Sequence, residues 1–171
     1  HAPVRPITIN GGYPMRGWYD ITSLDIAERD DEAGIVESSA MLTRLCDEQL
    51  ALGVAAKRII VAGFSQGGAI ALHAGLRYAR TLGGIMALST YLPMQQRLQQ
   101  EATAANRDTP IFMAHGLHDE VVAAQFGLQT RALLQQQGYR VQWHDYAMGH
   151  SVCMEEINDI SDWLDRVLTQ A

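Results

Sequence analysis

The sequence predicts an α/β fold, a mainly parallel sheet with flanking helices, and three observations carry that prediction. From residue 32 onward, helix-like and strand-like segments alternate with short connections, the order that parallel strands joined by crossover helices require. The strand-like runs are short, almost continuously apolar and rich in β-branched residues, as strands covered on both faces tend to be. Nothing repeats at the period of a solenoid. At 171 residues, 47% of them hydrophobic and 19% charged, the chain reads as one globular domain over 1–171 with enough apolar surface to bury a core.

The elements follow in order. The stretch EAGIVESSAMLTRLCDEQLALG places Ile35, Leu42, Leu45 and Leu52 at helical spacing, and Gly53 is a reasonable stop. A buried strand is expected at RIIVAGF, residues 58–64, then a helix at QGGAIALHAGLRYA and a strand at LGGIMALS. A Gln-rich connection, PMQQRLQQEATAAN, leads to strand PIFMAHG, helix VVAAQFGLQTRALLQQQG and strand YRVQWHDY. A last helix from about Ser151 carries Ile157, Ile160, Leu164 and Val167 as its packing stripe. Residues 1–31 differ: three prolines, the pair Gly11-Gly12 and the aromatics Tyr13, Trp18 and Tyr19 read as a long loop-rich excursion rather than a packed element. Long loops of that kind are often functional.

Charge and cysteine usage exclude several roles. Thirteen Lys+Arg against nineteen Asp+Glu give a net charge of −6, with Lys57 the only lysine, and acids crowd into Asp20, Asp25, Glu28, Asp30, Asp31 and Glu32. No basic stripe for nucleic acid exists. No apolar run reaches the length of a membrane span. The start HAPVRPITIN lacks the regions of a signal peptide and opens on His1, so the true beginning is expected upstream. Cys46 and Cys153 are too few for a disulfide framework and lie in no metal-ligand spacing, which makes a reducing compartment, the cytoplasm, the default.

The chemistry is concentrated in Gly63-Phe64-Ser65-Gln66-Gly67, a G-x-S-x-G pattern that follows an apolar strand and opens a helix. In this nucleophile elbow a sharp turn leaves the serine exposed, and glycines at 63 and 67 are expected to avoid collisions with the neighbouring strand and helix. A serine hydroxyl needs a base to take its proton and an acid to orient that base. Asp119 lies just past strand PIFMAHG and His150 just past strand YRVQWHDY, so Ser65, Asp119 and His150 all stand at carboxyl ends of strands in one parallel sheet. Open α/β folds place their sites at that edge. The backbone N–H of Gln66 supplies one donor for the oxyanion. A second donor should come from a Gly-rich loop after an upstream strand, and Gly11-Gly12, the only upstream glycine pair, has no strand of convincing length before it.

Other residues compete for these roles. His1 is terminal and His73 mid-helix; His115 ends a strand, where a ring nitrogen can tie down the turn; His118 and His144 read as exposed or packing residues. A metal site from His115, His118 and Asp119 lacks a fourth ligand, so no metal is expected. Asp145 could replace Asp119, but it lies inside the last strand, and Glu120 reads as a solvated residue of a first helical turn.

The blocks GFSQGG, HGLHDEVV, MGHSVCMEEINDISDWL, TINGGYPMRGWYDI and LGGIMALSTYLP, five in the right order from end to end, resemble the phospholipase/carboxylesterase family, which includes bacterial carboxylesterases and acyl-protein thioesterases. The resemblance implies an α/β-hydrolase fold, no cofactor, and a serine esterase that hydrolyses short- to medium-chain carboxylic esters, or acyl thioesters, through an acyl-enzyme. It assigns Ser65 as nucleophile, Asp119 as acid and His150 as base. It also puts Trp18 and the segment containing Tyr91 and Leu92, together with Met148, near the acyl-binding groove, and it makes a homodimer plausible. Family members carry an upstream strand and oxyanion loop before the counterpart of His1, and NGG here matches a later family position. The strand RIIVAGF is therefore expected to form an exposed apolar edge, completed by a separate N-terminal piece, a second chain or further residues. The rival to an esterase is a non-catalytic binding module or incomplete hydrolase on the same fold.

Overall fold

The computed structural model describes residues 1–23 and 31–169, so Asp25, Glu28 and Asp30 of the acidic cluster lie outside the described residues. Four parallel strands form the sheet: β3 (Ile60–Phe64), β4 (Gly84–Leu88), β5 (Ile111–Gly116) and β6 (Val141–Tyr146), side by side in chain order. The helices between and around them are α1 (Glu32–Ala51), α2 (Gln66–Arg77), α3 (Leu98–Glu101), α4 (Ala124–Gln136) and α5 (Met154–Thr169). Side chains alternate across the strands. Val61, Ile85, Ala87, Ile111 and Met113 pack with Leu72 and Leu76 of α2 and Leu134 of α4. Met86, Leu88, Phe112 and Ala114 pack on the other face against α5, where Trp163 is seated over Gly84 so closely that a Cβ there would meet the indole at 2.5 Å.

The helical stripes need correction in detail. On α1 the buried face is Ile35, Ser38, Ser39 and Cys46, with Leu42 packed beside it, whereas Leu45 and Leu52 are 54% and 78% exposed. Positions 35, 38, 39, 42 and 46 keep a 3.6-residue phase; Leu45 stands about 100° away from Cys46, and Leu52 is already the C-cap. On α5 the side chain at 156, not Ile157, continues the stripe of Ile160, Trp163, Leu164 and Val167, so a glutamate is buried where an isoleucine was expected.

Two segments read as irregular have structure. Within residues 1–31, β1 (Val4–Ile7) and β2 (Tyr13–Arg16) pair as an antiparallel hairpin, with Gly11 and Gly12 at positive φ between them. Proline at 6 and 14 hides the strand signal in the sequence, yet the two prolines are register partners in a two-stranded ribbon, whose outward backbone groups need no ladder donor. In the Gln-rich connection, Leu98 is buried and anchors the short α3 to the core. As expected, β3 is an edge strand; Phe64 and Ala62 are exposed on it.

Candidate active site

Ser65 sits between β3 and α2 with φ 54° and ψ −124°, a conformation that costs a non-glycine residue about 1–3 kcal/mol unless its surroundings impose it. They do impose it. The Ser65 N–H donates to Leu88 O at 2.9 Å, and Ser65 O accepts from Ala69 N–H at 3.1 Å and from Thr90 Oγ1 at 2.7 Å. The turn is tight because Gly63 lies against α2: a Cβ at 63 would stand 2.1 Å from the backbone of Gly67. The second collision falls at Gly68, 2.7 Å from Thr90 Cγ2, rather than at Gly67, where a Cβ would meet Trp18 Nε1 at 3.5 Å, an ordinary contact.

The three residues placed at strand ends by the sequence meet. His150 Nε2 is 2.9 Å from Ser65 Oγ, and His150 Nδ1 is 2.7 Å from Asp119 Oδ2. Asp119 is buried, and its other oxygen, Oδ1, accepts from the N–H groups of Val121 and Val122 at 2.9 and 2.8 Å. Helix α4 begins at 124, three residues later than the apolar pattern suggests, because 121–122 close this turn. Burial alone would push the Asp119 carboxyl up; the hydrogen bonds from His150, Val122 and Val121 together outweigh it and hold the group below the ordinary carboxylate range. An ionised Asp119 only accepts, so the proton of a neutral His150 resides on Nδ1 and the Nε2 lone pair faces the serine hydroxyl. Phe64 packs on the imidazole with ring centroids 4.7 Å apart.

Beside Ser65 a groove of about 330 Å³ runs along the hairpin, lined on its apolar side by Ile7, Met15, Trp18, Ile21 and Phe64. Trp18 lines it together with Ser65. Tyr91, Leu92 and Met148 are not among the residues lining that groove: Tyr91 packs with Val122 and Phe126, Leu92 lies in the core below α4, and Met148 packs on the cluster under α5. The Gln66 N–H heads α2, among the amides a helix leaves without an internal partner. Its side chain does something the motif does not spell out. Oε1 accepts from Trp18 N–H and Nε2 donates to Tyr19 O, both at 3.0 Å, clamping the chain after the hairpin to the elbow. The only signal for this was an amide-bearing residue at the variable position of G-x-S-x-G.

The competing residues are elsewhere. Asp145 accepts from Trp143 Nε1, His144 pairs with Asp159, His73 bonds Ser39 and His118 is exposed. Among the described residues, no three His, Cys, Asp or Glu side chains gather as metal ligands, and no helix is long and apolar enough to cross a membrane.

Comparison with known proteins gives a consistent picture. The phospholipase/carboxylesterase family model matches residues 1–168. Acyl-protein thioesterase 1 of Neurospora crassa is 44% identical over 96% of this chain and 70% of its own length. Among solved structures, Arabidopsis thaliana SOBER1 superposes with a TM-score of 0.92 at 30% identity, covering 98% of this chain and 81% of that one. Zea mays acyl-protein thioesterase 2 gives 0.86 at 28%, covering 98% and 79%.

Proposed function

Because this chain belongs to the phospholipase/carboxylesterase family, whose chemistry is the hydrolysis of esters and thioesters, we propose that Ser65, His150 and Asp119 carry that hydrolysis here. The observation that carries the proposal is the unbroken hydrogen-bonded line Ser65 Oγ, His150 Nε2 and Nδ1, Asp119 Oδ2, at 2.9 and 2.7 Å. His150 takes the hydroxyl proton as Ser65 attacks the acyl carbon, and Asp119 stabilises the imidazolium that forms. The tetrahedral oxyanion is held by the Gln66 N–H at the positive end of α2. His150 then returns the proton to the departing alkoxide or thiolate, leaving an acyl-Ser65 ester. Water, deprotonated by the same imidazole, releases the acid and restores the serine.

The acyl chain lies in the groove of Ile7, Met15, Trp18, Ile21 and Phe64, and the family resemblance favours short to medium chains. Hydrolysis needs no cofactor in this scheme. The open edge of β3 is the place for a further strand, from more of the same polypeptide or a second copy, that would bring a second oxyanion donor. Two cysteines without a disulfide fit a reducing, cytoplasmic setting. A non-catalytic binding role on the same fold is not favoured, since the relatives are thioesterases and a binding module has no need of an aligned acid, base and hydroxyl.

The test is labelling with a fluorophosphonate. Wild type is expected to gain one adduct and Ser65→Ala none, with ester turnover falling by about 10⁴-fold or more in the variant while its fold persists. Labelling and turnover surviving in Ser65→Ala would overturn the assignment.

A further inference from the structure

Resting on the triad reading above, the geometry points to His115 as a positioning residue of the same reaction: a buried, neutral imidazole whose Nε2–H fixes the turn that aims the Asp119 carboxylate at His150. His115 is the fifth residue of β5 and is fully buried. Its Nε2 is 2.8 Å from Val122 O and 3.4 Å from Asp119 Oδ2. A carbonyl and an ionised carboxylate both only accept, so the ring proton must be on Nε2. Nδ1 is then a bare lone pair, with no hydrogen-bond partner among the described residues.

The ring is held in place by a stacked indole and a close helix. Trp143 of β6 stacks on it, centroids 6.1 Å apart and 25° between planes. Gly127 of α4 lies at its Nδ1–Cε1 edge, where a Cβ would come within 2.5 Å of Nδ1 and 2.9 Å of the Trp143 indole, so the helix approaches this closely only because residue 127 is glycine. Burial first of all keeps the imidazole below its ordinary pKa, with the His150 ring adding to that; the Val122 carbonyl and the Asp119 charge only partly oppose. It therefore stays a neutral donor through the range where esterases work.

A chain of hydrogen bonds follows. His115 Nε2–H holds Val122 O; the N–H groups of Val121 and Val122 hold Asp119 Oδ1; Asp119 Oδ2 holds His150 Nδ1–H; His150 Nε2 faces Ser65. Without His115, the Val122 end of the turn loses its tether, and the carboxylate is free to rotate off the imidazole. Since that interaction strengthens as His150 becomes charged, the loss falls on kcat rather than on substrate binding.

Three variants test this in the full chain with p-nitrophenyl butyrate as the probe substrate. His115→Phe keeps a ring against Trp143 and removes the donor; kcat is expected to fall by about 3–10-fold, the effect of one hydrogen bond, with KM within about twofold. His115→Gln can place an amide N–H near the lost Nε2–H and is expected to recover most of the loss. The low-field proton resonance of His150 Nδ1–H should move upfield in the Phe variant and return in the Gln variant. Equal losses in both variants with that resonance unmoved would reduce His115 to packing and overturn the inference, as would a wild-type kcat in the Phe variant. Should Phe at 115 prevent folding, ¹⁵N spectra of the wild-type imidazole decide directly: a proton found on His115 Nδ1 is incompatible with the proposal. Asp119→Asn separates this from failure of the triad. If that variant keeps full turnover the catalytic assignment falls, whereas the proton resonance still reports whether His115 positions residue 119.

Discussion

Glu156 is a carboxyl group buried on a helix face whose other members are apolar. It is 0% exposed, on the α5 stripe that faces the sheet. Burial raises its carboxyl from 4.5 to about 7, and the Cys153 N–H only partly opposes the shift. The folded pKa is above the unfolded one, so the stabilising contribution of this group is complete below pH 4.5 and is lost as pH rises through about 7. Glu156→Gln, uncharged at every pH, is therefore expected to change little at pH 5 and to gain roughly 1–3 kcal/mol at pH 8, raising Tm by several degrees. Thermal melts of both proteins at the two pH values check this; equal Tm differences at pH 5 and 8 would contradict it. At the same scale, Ser65, Asp119 and His150 were legible because a strained serine turn and two strand-end residues have few alternative uses. The Gln66 clamp was not, because a hydrogen bond between residues 47 positions apart leaves no local pattern. For His115 the strand-end position suggested a ring nitrogen tying down the turn, but not that this turn also holds the Asp119 carboxylate.

Among the elements, the elbow makes the sharpest prediction. Gly63→Ala drives a methyl into the backbone of Gly67 at 2.1 Å, which no side-chain rotation relieves. It should cost at least about 3 kcal/mol or abolish folding, as overpacking against backbone does. Gly67→Ala has room, meeting only Trp18 Nε1 at 3.5 Å, and is expected to fold with a Tm within a few degrees of wild type. Circular dichroism melts of the pair test whether the two motif glycines have different jobs. Helix α1 offers a milder case. Asp31 at its N-cap accepts from Gly34 N–H and also from Asp20 N–H, each at 2.9 Å, so it joins the helix start to the segment after the hairpin. Asp31→Ala should cost about 1–2 kcal/mol by urea denaturation. Element type was readable wherever apolar period and flanking glycine agreed. It was not readable for β1 and β2, where proline suppresses strand propensity and only mutual pairing makes the hairpin.

At the scale of the molecule, the order β3-β4-β5-β6 gives β3 no strand partner on one side among the described residues. The 171-residue chain by itself is therefore expected to self-associate as concentration rises, and Ala62→Lys, a charge placed on the exposed face of that strand, should weaken the association severalfold in sedimentation velocity. An unchanged, concentration-independent monomer in both would rule out the edge as a pairing surface. The α/β class, the parallel sheet and the positions of Ser65, Asp119 and His150 at its carboxyl edge were determined by the sequence itself. Apolar period, β-branched runs and a glycine-bracketed serine are local properties of the chain. Tertiary structure alone decided that Ser38, Ser39 and Glu156 join the buried helix faces, that residues 4–16 fold a hairpin beside the serine, and that the turn His115 ties down is the one holding the Asp119 carboxylate. Those outcomes depend on close packing between segments far apart in sequence, where a few tenths of an ångström decide whether a methyl, a ring or a hydrogen bond fits.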